Sequence, residues 1–328
     1  MTESSKLRIA FIGCGGIAPS HANPLLADRR VRITHLVDPN PQKLARFKER
    51  LPALAGLPES VDYRPVLDAV DAVVISTPHT LHYPQVMAAL DKGLHVLVEK
   101  PMTCTVAHAR RVVRKVRSSR LKLQVAYQRK ASPAFRYLHD QVASGAIGRL
   151  NYIAVLLAQE WLYGCKGSWR HDPKLSGGGQ LNDSGSHLVN MLTWLPCQQP
   201  ARVAAFSDNR GTKVDIDSAV SILYDKGALA TLSVIASAHR WDERWFIVGS
   251  KATLTYDNGA VRRIDGLNAQ PRDIVLPTKP ADNITRNWID AIFGKAKLLS
   301  PATCGLDVIR LTEAIWKSAA AGARPVRV

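Results

Sequence analysis

The stretch Leu-Arg-Ile-Ala-Phe-Ile-Gly-Cys-Gly-Gly-Ile-Ala, residues 7–18, decides the fold of the first part of the chain. Its first half, Leu7–Ile12, is a short apolar run of the kind found in buried strands. Its second half, Gly13–Ala18, fits the pattern G-x-G-x-x-A and leads into a helix-like segment that ends near Ala27. A strand, a glycine turn and a helix in this order predict the opening of a βαβ unit.

Strand-like and helix-like patterns alternate from this stretch to about residue 125. The predicted strands are Leu7–Ile12, Val31–Val37, Ala72–Ser76, His95–Val98 and Leu121–Ala126, and the predicted helices include Pro41–Arg50, Pro84–Lys92 and Val106–Ser118. Such alternation requires a parallel sheet with right-handed crossovers. We therefore predict an α/β fold whose N-terminal domain, residues 1–125, is a doubly wound Rossmann domain.

The pattern changes at about residue 126. Alternating apolar runs now follow one another at Ala201–Ser207, Ser218–Tyr224, Leu229–Ser237, Trp245–Val248 and Thr253–Tyr256, with turn signals such as Asp257-Asn258-Gly259 between them. Helices are predicted near Phe135–Ser144, over Leu181–Leu195 and at the end of the chain. Runs of this kind are typical of antiparallel strands. We predict that residues 126–328 form an α+β domain with a large, mostly antiparallel open sheet.

The glycine turn has the features of a phosphate-binding loop. Gly13 and Gly15 permit a tight turn and let the backbone approach a pyrophosphate, and Ala18 lets the following helix pack near the sheet. The free N–H groups at the start of that helix favour anions. Together with Gly16 and Ile17, these residues are predicted to bind the phosphates of a dinucleotide.

An acidic residue follows the turn at the distance expected of a carboxylate that binds the ribose of a dinucleotide. Asp38 stands twenty residues beyond Ala18, at the end of the second predicted strand. A carboxylate there accepts hydrogen bonds from the adenosine ribose hydroxyls and repels the extra phosphate of NADP, so the predicted cofactor is NAD. The alternative is that Asp38-Pro39-Asn40-Pro41 is only a capped turn.

A second polar cluster follows the predicted strands Ala72–Ser76 and His95–Val98. It comprises Ser76–His82 and the triplet Glu99-Lys100-Pro101, at the strand ends where open α/β sheets bind ligands. The residues predicted to contact the cofactor here are Thr77, Pro78, His79, His82, Glu99 and Lys100. Lys100 could direct its ammonium at a ligand oxygen, although a loop lysine paired with Glu99 has the same sequence.

A third cluster lies in the glycine-rich segment 176–187. Asp183 and His187 are four residues apart on a predicted helix and would share one face. A histidine titrates near neutrality and suits proton exchange with an alcohol, and a nearby carboxylate can orient it. The alternative is a helix cap beside an ordinary core histidine.

Two further segments supply candidate ligand contacts. The loop 160–170 contains Tyr163, Trp169 and Arg170, whose aromatic faces and charge suit the C–H faces and hydroxyls of sugars or cyclitols, although aromatic residues also serve cores. Gln128 and Arg129 follow the predicted strand Leu121–Ala126. We predict that Gln128 contacts the cofactor and that Arg129 contacts the substrate.

Taken together, these residues resemble the Gfo/Idh/MocA family, the relatives of glucose–fructose oxidoreductase and inositol dehydrogenase. The resemblance covers essentially the whole chain. It rests on the G-x-G-x-x-A turn, the T-P-x-x-x-H stretch Thr77–His82, the segment His95–Pro101, the G-G-G-x-x-x-D-x-G-x-H segment Gly177–His187 and the turn Gly249–Leu254.

The resemblance implies roles for three residues. Lys100 would bind the substrate hydroxyl and the nicotinamide ribose, His187 would be the general acid/base, and Asp183 would be its partner and a substrate contact. Many family members carry an acidic residue three positions after the histidine, where this chain has Asn190. That departure leaves the substrate open.

The implied function is NAD-dependent hydride transfer at a secondary hydroxyl of a sugar, sugar derivative or cyclitol. The resemblance also implies a homodimer or homotetramer formed through the C-terminal sheet. Two alternatives stay open: an NAD-retaining glycoside-cleaving enzyme that works by transient oxidation and elimination, and a non-catalytic dinucleotide-sensing or nucleic-acid-binding protein.

Composition bears on the location and on possible partners. The five cysteines are scattered and form no C-x-x-C pair, which predicts free thiols and no structural metal. No apolar run approaches the roughly eighteen residues of a membrane span, and residues 1–6 have no apolar signal region. These features predict a cytoplasmic protein without a membrane partner.

The formal net charge of +17 raises the question of nucleic acid. The densest basic run, Arg110–Lys122, alternates with valines in the pattern of an amphipathic helix and has no interleaved aromatic residues. Charge without a reading motif favours a solvated helix face, so no nucleic-acid partner is predicted.

Overall fold

The computed structural model describes residues 6–278 and 283–328. Contacts divide this part of the chain into two units. The first contains residues 6–127 and 283–306, and the second contains residues 128–278 and 307–328.

Strands and helices are numbered along the chain. The strands are β1 Leu7–Ile12, β2 Val31–Val37, β3 Glu59–Ser60, β4 Ala72–Ile75, β5 His95–Val98, β6 Leu123–Val125, β7 Leu150–Ala158, β8 Pro200–Asp208, β9 Asp217–Tyr224, β10 Leu229–Ile235, β11 Asp242–Gly249, β12 Ala252–Asp257, β13 Ala260–Asp265, β14 Arg272–Asp273 and β15 Val326–Arg327. The helices are α1 Ala18–Leu26, α2 Pro41–Arg50, α3 His82–Asp91, α4 Val106–Arg117, α5 Pro133–Ala143, α6 Trp161–Gly164, α7 Pro173–Ser176, α8 Gly185–Trp194, α9 Ile284–Ile292 and α10 Ala302–Ala320.

The sheet of the first unit is parallel, with the order β3-β2-β1-β4-β5-β6 among the described strands. This is the doubly wound order in which the strand sequence reverses between β1 and β4, the switch point at which such sheets bind ligands. Its central strands are buried on both faces, as a sheet with helices on both sides requires. The predicted Rossmann fold is confirmed.

The segment 283–306 packs with the first unit, whereas the sequence pattern places it in the second domain. Trp288 and Ile289 on α9 are buried in the same apolar core as Ile9 and Phe11. The amide of Gln124, in β6, donates to the carbonyl of Ile284 at 2.8 Å. The division differs from the predicted one because these contacts join residues 160 or more positions apart, and no local sequence pattern records such contacts.

The sheet of the second unit has the order β14-β13-β12-β11-β7-β10-β9-β8-β15 in the described residues. Neighbouring strands are antiparallel except for β7 and β10, which are parallel, so the predicted mostly antiparallel sheet is confirmed. The short strands β13, β14 and β15 were not predicted. In β13 two arginines interrupt the apolar alternation, and β14 and β15 have two residues each.

Helix α4 carries the dense basic run. Val112 and Val113 are buried, whereas Arg111 and Arg114 are exposed, which is the predicted amphipathic arrangement. None of the helices in residues 6–278 and 283–328 has both the length and the hydropathy needed to cross a bilayer.

Candidate active site

The glycine turn lies at the switch point of the first sheet. Gly13 has φ +91°, and a Cβ there would lie 2.7 Å from the carbonyl carbon and oxygen of Ser76, so β1 and β4 leave no room for a side chain. A Cβ on Gly15 or Gly16 would meet no heavy atom of the described residues within 4 Å. The fold therefore demands glycine at position 13, whereas the open space beside Gly15 and Gly16 fits a backbone that a phosphate group approaches.

Asp38 directly follows β2, and its carboxylate contacts the glycine turn. It is 4% exposed; its Oδ2 accepts the N–H of Cys14 at 3.0 Å, and its Oδ1 accepts the N–H of Asn40 at 2.9 Å. Asn40 in turn caps α2 by accepting the N–H of Gln42. The capped turn of the alternative reading is thus present, but each carboxylate oxygen keeps lone pairs for ribose hydroxyls. Both readings of Asp38 are compatible.

Cys14 is buried within the glycine motif. Burial and the negative charge of Asp38 raise the pKa of its thiol to about 12. The thiol therefore stays protonated at neutral pH and is a packing group.

The loop after β4 is fixed by hydrogen bonds of its own. The Ser76 hydroxyl donates to the carbonyl of Gly13 at 2.7 Å, and the Thr77 hydroxyl donates to Oε1 of Gln85 at 2.6 Å. The sequence predicts that Thr77 and Pro78 line the cofactor site, and this loop lies beside the glycine turn as that role requires.

His82 differs from its predicted role as a cofactor contact. Its ring is fully buried, with Nδ1 2.7 Å from the carbonyl oxygen of Pro101 and Nε2 2.9 Å from that of Thr77. Both ring nitrogens face backbone oxygens, so the side chain joins the two loops. His79, which is 4% exposed, has its ring centroid 5.9 Å from that of His82.

Glu99 also differs from its predicted role. Its carboxylate is 6% exposed; Oε1 accepts Nε2–H of His21 at 2.8 Å, and Oε2 accepts the N–H of Lys100 at 3.1 Å. Burial raises the pKa of Glu99, but the hydrogen bond and charge of His21 and the charge of Lys100 outweigh it, and the pKa is lowered. An ionised carboxylate thus holds the backbone of Lys100, whose side chain is partly exposed.

His21 was not singled out in the sequence. It lies on α1, three residues after the last residue of the glycine motif, and is 2% exposed. Its Nδ1 is 2.8 Å from the hydroxyl of Thr285 at the start of α9. A polar residue on the otherwise apolar buried face of α1 was the available signal.

In the second unit, α8 begins at Gly185, so Asp183 lies in the turn before the helix. The prediction that Asp183 and His187 share one helix face is therefore wrong. The reason is a distant residue. Asp215 accepts the N–H of Gly179 through Oδ1 and that of Leu181 through Oδ2, both at 2.9 Å. These bonds fix residues 179–184 as turns and delay the helix.

Asp183 is the centre of a polar cluster. It is 3% exposed, and its Oδ2 accepts Nε1–H of Trp161 at 2.8 Å and Nε–H of Arg170 at 2.7 Å. The guanidinium carbon of Arg170 lies 4.5 Å from the ring centre of Trp169. The structure therefore joins three of the predicted residues, Asp183, Arg170 and Trp169, and adds Trp161.

Tyr163, which was predicted to contact substrate with Trp169 and Arg170, makes different contacts from those two residues. It is 53% exposed, stacks on His239 with ring centroids 5.5 Å apart, and its hydroxyl is 3.5 Å from the carbonyl oxygen of Ser237. No described contact joins it to the Asp183 cluster.

Arg129 is committed to a buried ion pair. Its two terminal nitrogens bind both carboxylate oxygens of Glu243, whose side chain is 3% exposed, and Nη2 lies 2.7 Å from Oε2. Trp245 donates its indole N–H to the same carboxylate at 2.8 Å. The guanidinium group of Arg129 is therefore occupied, which argues against its predicted contact with substrate.

Gln128, a predicted cofactor contact, is half-buried at the start of the short 3-10 helix Gln128–Ala131.

Helix α8 carries His187 and, one turn further on, Asn190. His187 is partly buried, and Asn190 is fully buried with neither side-chain atom in a hydrogen bond among the described residues. In residues 6–278 and 283–328, no group of three or more His, Cys, Asp or Glu side chains is arranged to hold a metal ion.

Comparison with known proteins identifies the family. Residues 7–127 match the family described as "Oxidoreductase family, NAD-binding Rossmann fold", and residues 135–255 match the "GFO/IDH/MocA C-terminal domain". The chain belongs to the Gfo/Idh/MocA family of oxidoreductases. Its predicted family, its class as an NAD-binding oxidoreductase and its fold class are confirmed.

Individual relatives are sugar-converting enzymes by name. The chain is 26% identical over 274 residues to levoglucosan dehydrogenase of Pseudarthrobacter phenanthrenivorans, which covers 71% of this chain and 68% of that protein. The crystal structure of aldose-aldose oxidoreductase from Caulobacter crescentus with glycerol has a TM-score of 0.86 and 25% identity, covering 98% of this chain and 100% of that one. Levoglucosan dehydrogenase in complex with NADH has a TM-score of 0.87 at 20% identity, covering 98% and 99% of the two chains, and shows the shared fold.

Proposed function

We propose that this Gfo/Idh/MocA oxidoreductase interconverts a secondary alcohol and a ketone on a sugar, sugar derivative or cyclitol. The observation that carries the proposal is the cluster of Asp183, Trp161 and Arg170, in which Asp183 lies four residues before His187 in the sequence. The cluster provides hydrogen-bonding groups and an aromatic surface, and His187 provides a titratable imidazole; polyol recognition and proton transfer need these groups. The names of the relatives point to the same substrate class.

Each residue has a proposed role. His187 takes the hydroxyl proton during oxidation and returns it during reduction. The Lys100 ammonium stabilises negative charge on the reacting oxygen. Asp183, which accepts N–H donors from Trp161 and Arg170, orients the substrate and His187.

The first unit has groups that fit NAD. The open space beside Gly15 and Gly16, the start of α1 and the carboxylate of Asp38 would hold the pyrophosphate and the adenosine ribose. Bound NAD supplies the hydride acceptor. Since Asp38 repels a ribose phosphate, we propose a preference for NAD over NADP, and equal use of both cofactors would contradict that assignment.

A substrate screen tests the function directly. Sugars, cyclitols and sugar acids are incubated with NAD at mildly alkaline pH, and NADH formation is followed for the wild type and for His187→Ala. Steady NADH formation that depends on His187 supports a dehydrogenase. Glycoside cleavage without net NADH release would instead establish the NAD-retaining eliminating enzyme, and no turnover in either assay would refute the proposed substrate class.

We also propose that the open face of the second sheet forms a homodimer or homotetramer interface. Phe206, Leu229 and Phe246 are 67%, 46% and 46% exposed on three strands of that sheet, next to buried residues that face the opposite way. Exposed apolar side chains on one face mark interaction sites. Light scattering should give a multiple of the 36.0 kDa chain, and Phe246→Glu should reduce it; a monomeric wild type would refute the interface. A cytoplasmic location remains a prediction.

A further inference from the structure

The triplet Glu99-Lys100-Pro101 lies between two buried histidines. His21, 2% exposed, binds the carboxylate of Glu99, and His82, fully buried, binds the carbonyl of Pro101. Lys100, the residue between these two contacts, is the only member of the triplet with a partly exposed side chain. Both neighbours of Lys100 in the sequence are thus fixed by a histidine from another element.

The first histidine links Lys100 to the nucleotide-binding helix. Its Nε2 faces a carboxylate oxygen at 2.8 Å and must therefore be the donor, while Nδ1 meets the hydroxyl of Thr285 at 2.8 Å. The other oxygen of Glu99 accepts the N–H of Lys100 at 3.1 Å. A continuous hydrogen-bonded chain therefore runs from α9 through His21 and Glu99 to the backbone of Lys100.

The second histidine links Lys100 to the loop after β4. The ring of His82 lies between the carbonyl oxygens of Pro101, at 2.7 Å, and Thr77, at 2.9 Å. Burial lowers the pKa of His82, so the ring is neutral at pH 7 and carries one N–H, which it donates to one of the two oxygens. The ring thereby fixes the spacing between the two loops that follow β4 and β5.

We propose that His21 and His82 are positioning residues that hold the backbone of Lys100 and thereby aim its ammonium group. A lysine side chain has four rotatable bonds, so its reach is wide and its direction depends on how firmly its backbone is held. Small misplacements of a catalytic group lower rates steeply. The catalytic part of this inference rests on the proposed function, whereas the holding of the backbone does not.

Hydrogen exchange tests the backbone contact without a substrate. Exchange at the Lys100 amide is measured by mass spectrometry of overlapping peptides, with saturating NADH, in the wild type, His21→Leu and His21→Gln. Leucine breaks the bond to Glu99, and we expect exchange at Lys100 to rise by about tenfold or more. Glutamine keeps a donor at the position of Nε2 and should restore slow exchange.

A matched control removes another histidine from the same strand. His95 stands at the opposite end of β5 from Glu99, and its Nδ1 accepts the N–H of Lys122 at 3.0 Å. His95→Gln removes a comparable, half-buried hydrogen bond, but it should leave exchange at Lys100 unchanged. For the second contact, His82→Leu should speed exchange in the loop 100–104, whereas His82→Asn, which keeps a donor near Nδ1, should do so less.

Kinetics then separate positioning from general stability. With a substrate from the screen, His21→Leu should lower kcat by about tenfold, leave the Kd for NADH within about threefold, and be rescued by glutamine. His95→Gln should keep the wild-type kcat even if its melting temperature falls as far as that of His21→Leu.

Two results would overturn the inference. Unchanged exchange at Lys100 in His21→Leu would show that the histidine does not hold this backbone. Faster exchange with an unchanged kcat would show that aiming Lys100 does not depend on it. If the screen yields no substrate, the proposed function fails on its own, and the exchange experiment still decides the backbone contact because it needs only protein and NADH.

Discussion

Two buried polar residues of the first unit bind backbone groups, whereas two polar residues of the second unit bind other side chains. Asp38 and His82 hold main-chain groups of neighbouring loops. Asp183 and Arg129, by contrast, are paired with other side chains, Arg170 and Trp161 in one case and Glu243 in the other. Asp38 and His82 thus fix the backbone of neighbouring loops, whereas Asp183 and Arg129 fix other side chains.

The largest expected effect separates the two units most clearly. His187→Ala should lower turnover by a factor on the order of 10²–10⁴, the usual range for loss of a general base. The affinity for NADH should stay nearly unchanged, because the proposed dinucleotide contacts lie in the first unit. The measurements are kcat against pH and NADH titration by fluorescence.

The pH profile gives the sharper reading of that variant. The wild type should show the limb that an imidazole produces near neutral pH, and His187→Ala should lack it. His139→Ala, a histidine on α5, serves as the control and should keep the limb. A His187→Ala enzyme that kept both its rate and the limb would mean that another group is the base.

Replacing Arg129 tests whether a side-chain pair in the second unit stabilises the fold or binds substrate. Arg129→Met leaves the carboxylate of Glu243 buried without its partner, and this should lower the free energy of unfolding by about 3–5 kcal/mol. Urea denaturation measures the loss. The matched control is Arg262→Met, whose ion pair with Asp273 is exposed and should contribute at most about 1 kcal/mol. A raised KM with normal stability would restore the sequence-based role in substrate binding.

Gly13 and Gly15 should fail in different ways. Gly15→Val places its side chain in open space, so folding should be intact while NADH affinity falls by about 100-fold or more, because the branched side chain takes the space of the pyrophosphate. Gly13→Ala should instead lower the melting temperature, since φ is +91° and the added Cβ would meet Ser76. NADH titration and thermal unfolding distinguish the two, and unchanged NADH affinity in Gly15→Val would mean that the motif is only a turn.

The sequence predicted the first unit better than the second, for a physical reason. Strand ends and glycine turns are local features, so the positions of Gly13, Asp38 and Lys100 followed from the alternation alone. The start of α8 depends on Asp215, more than thirty residues after Gly179, and the pairing of Arg129 depends on Glu243, 114 residues away. Pairings at such distances leave no trace in local periodicity, and the role of His21 with Glu99 was missed for the same reason.

Acid should weaken the first unit partly through His82. Burial lowers the pKa of this histidine, so the folded chain keeps it neutral at pH values where the unfolded chain takes up a proton. Its contribution to stability is therefore complete above about pH 6.5 and is lost as the pH falls, at no more than about 1.4 kcal/mol per pH unit for one proton. Between pH 7 and 5, His82→Asn should lose less unfolding free energy than the wild type. An equal slope in the two proteins would show that His82 does not contribute.

The smallest expected effect concerns the buried amide of Asn190 in the second unit. Asn190 is fully buried on α8, one turn beyond His187, and neither atom of its amide has a hydrogen-bond partner among the described residues. Asn182 is equally buried, but its amide donates to the carbonyl of Ser176 at 3.3 Å. The two residues form a matched pair, one with a partner and one without.

Leucine at each position should therefore act in opposite directions. A buried polar group without a partner lowers stability, and an apolar group of similar shape removes that penalty, so Asn190→Leu should raise the free energy of unfolding by about 1 kcal/mol. Asn182→Leu leaves a carbonyl without its donor and should lower it by about 1–3 kcal/mol. Urea denaturation of both variants gives the comparison. If Asn190→Leu destabilises the protein as much as Asn182→Leu does, the amide of Asn190 has a partner in the folded enzyme, and the polar core beside His187 extends one helical turn further than the described contacts show.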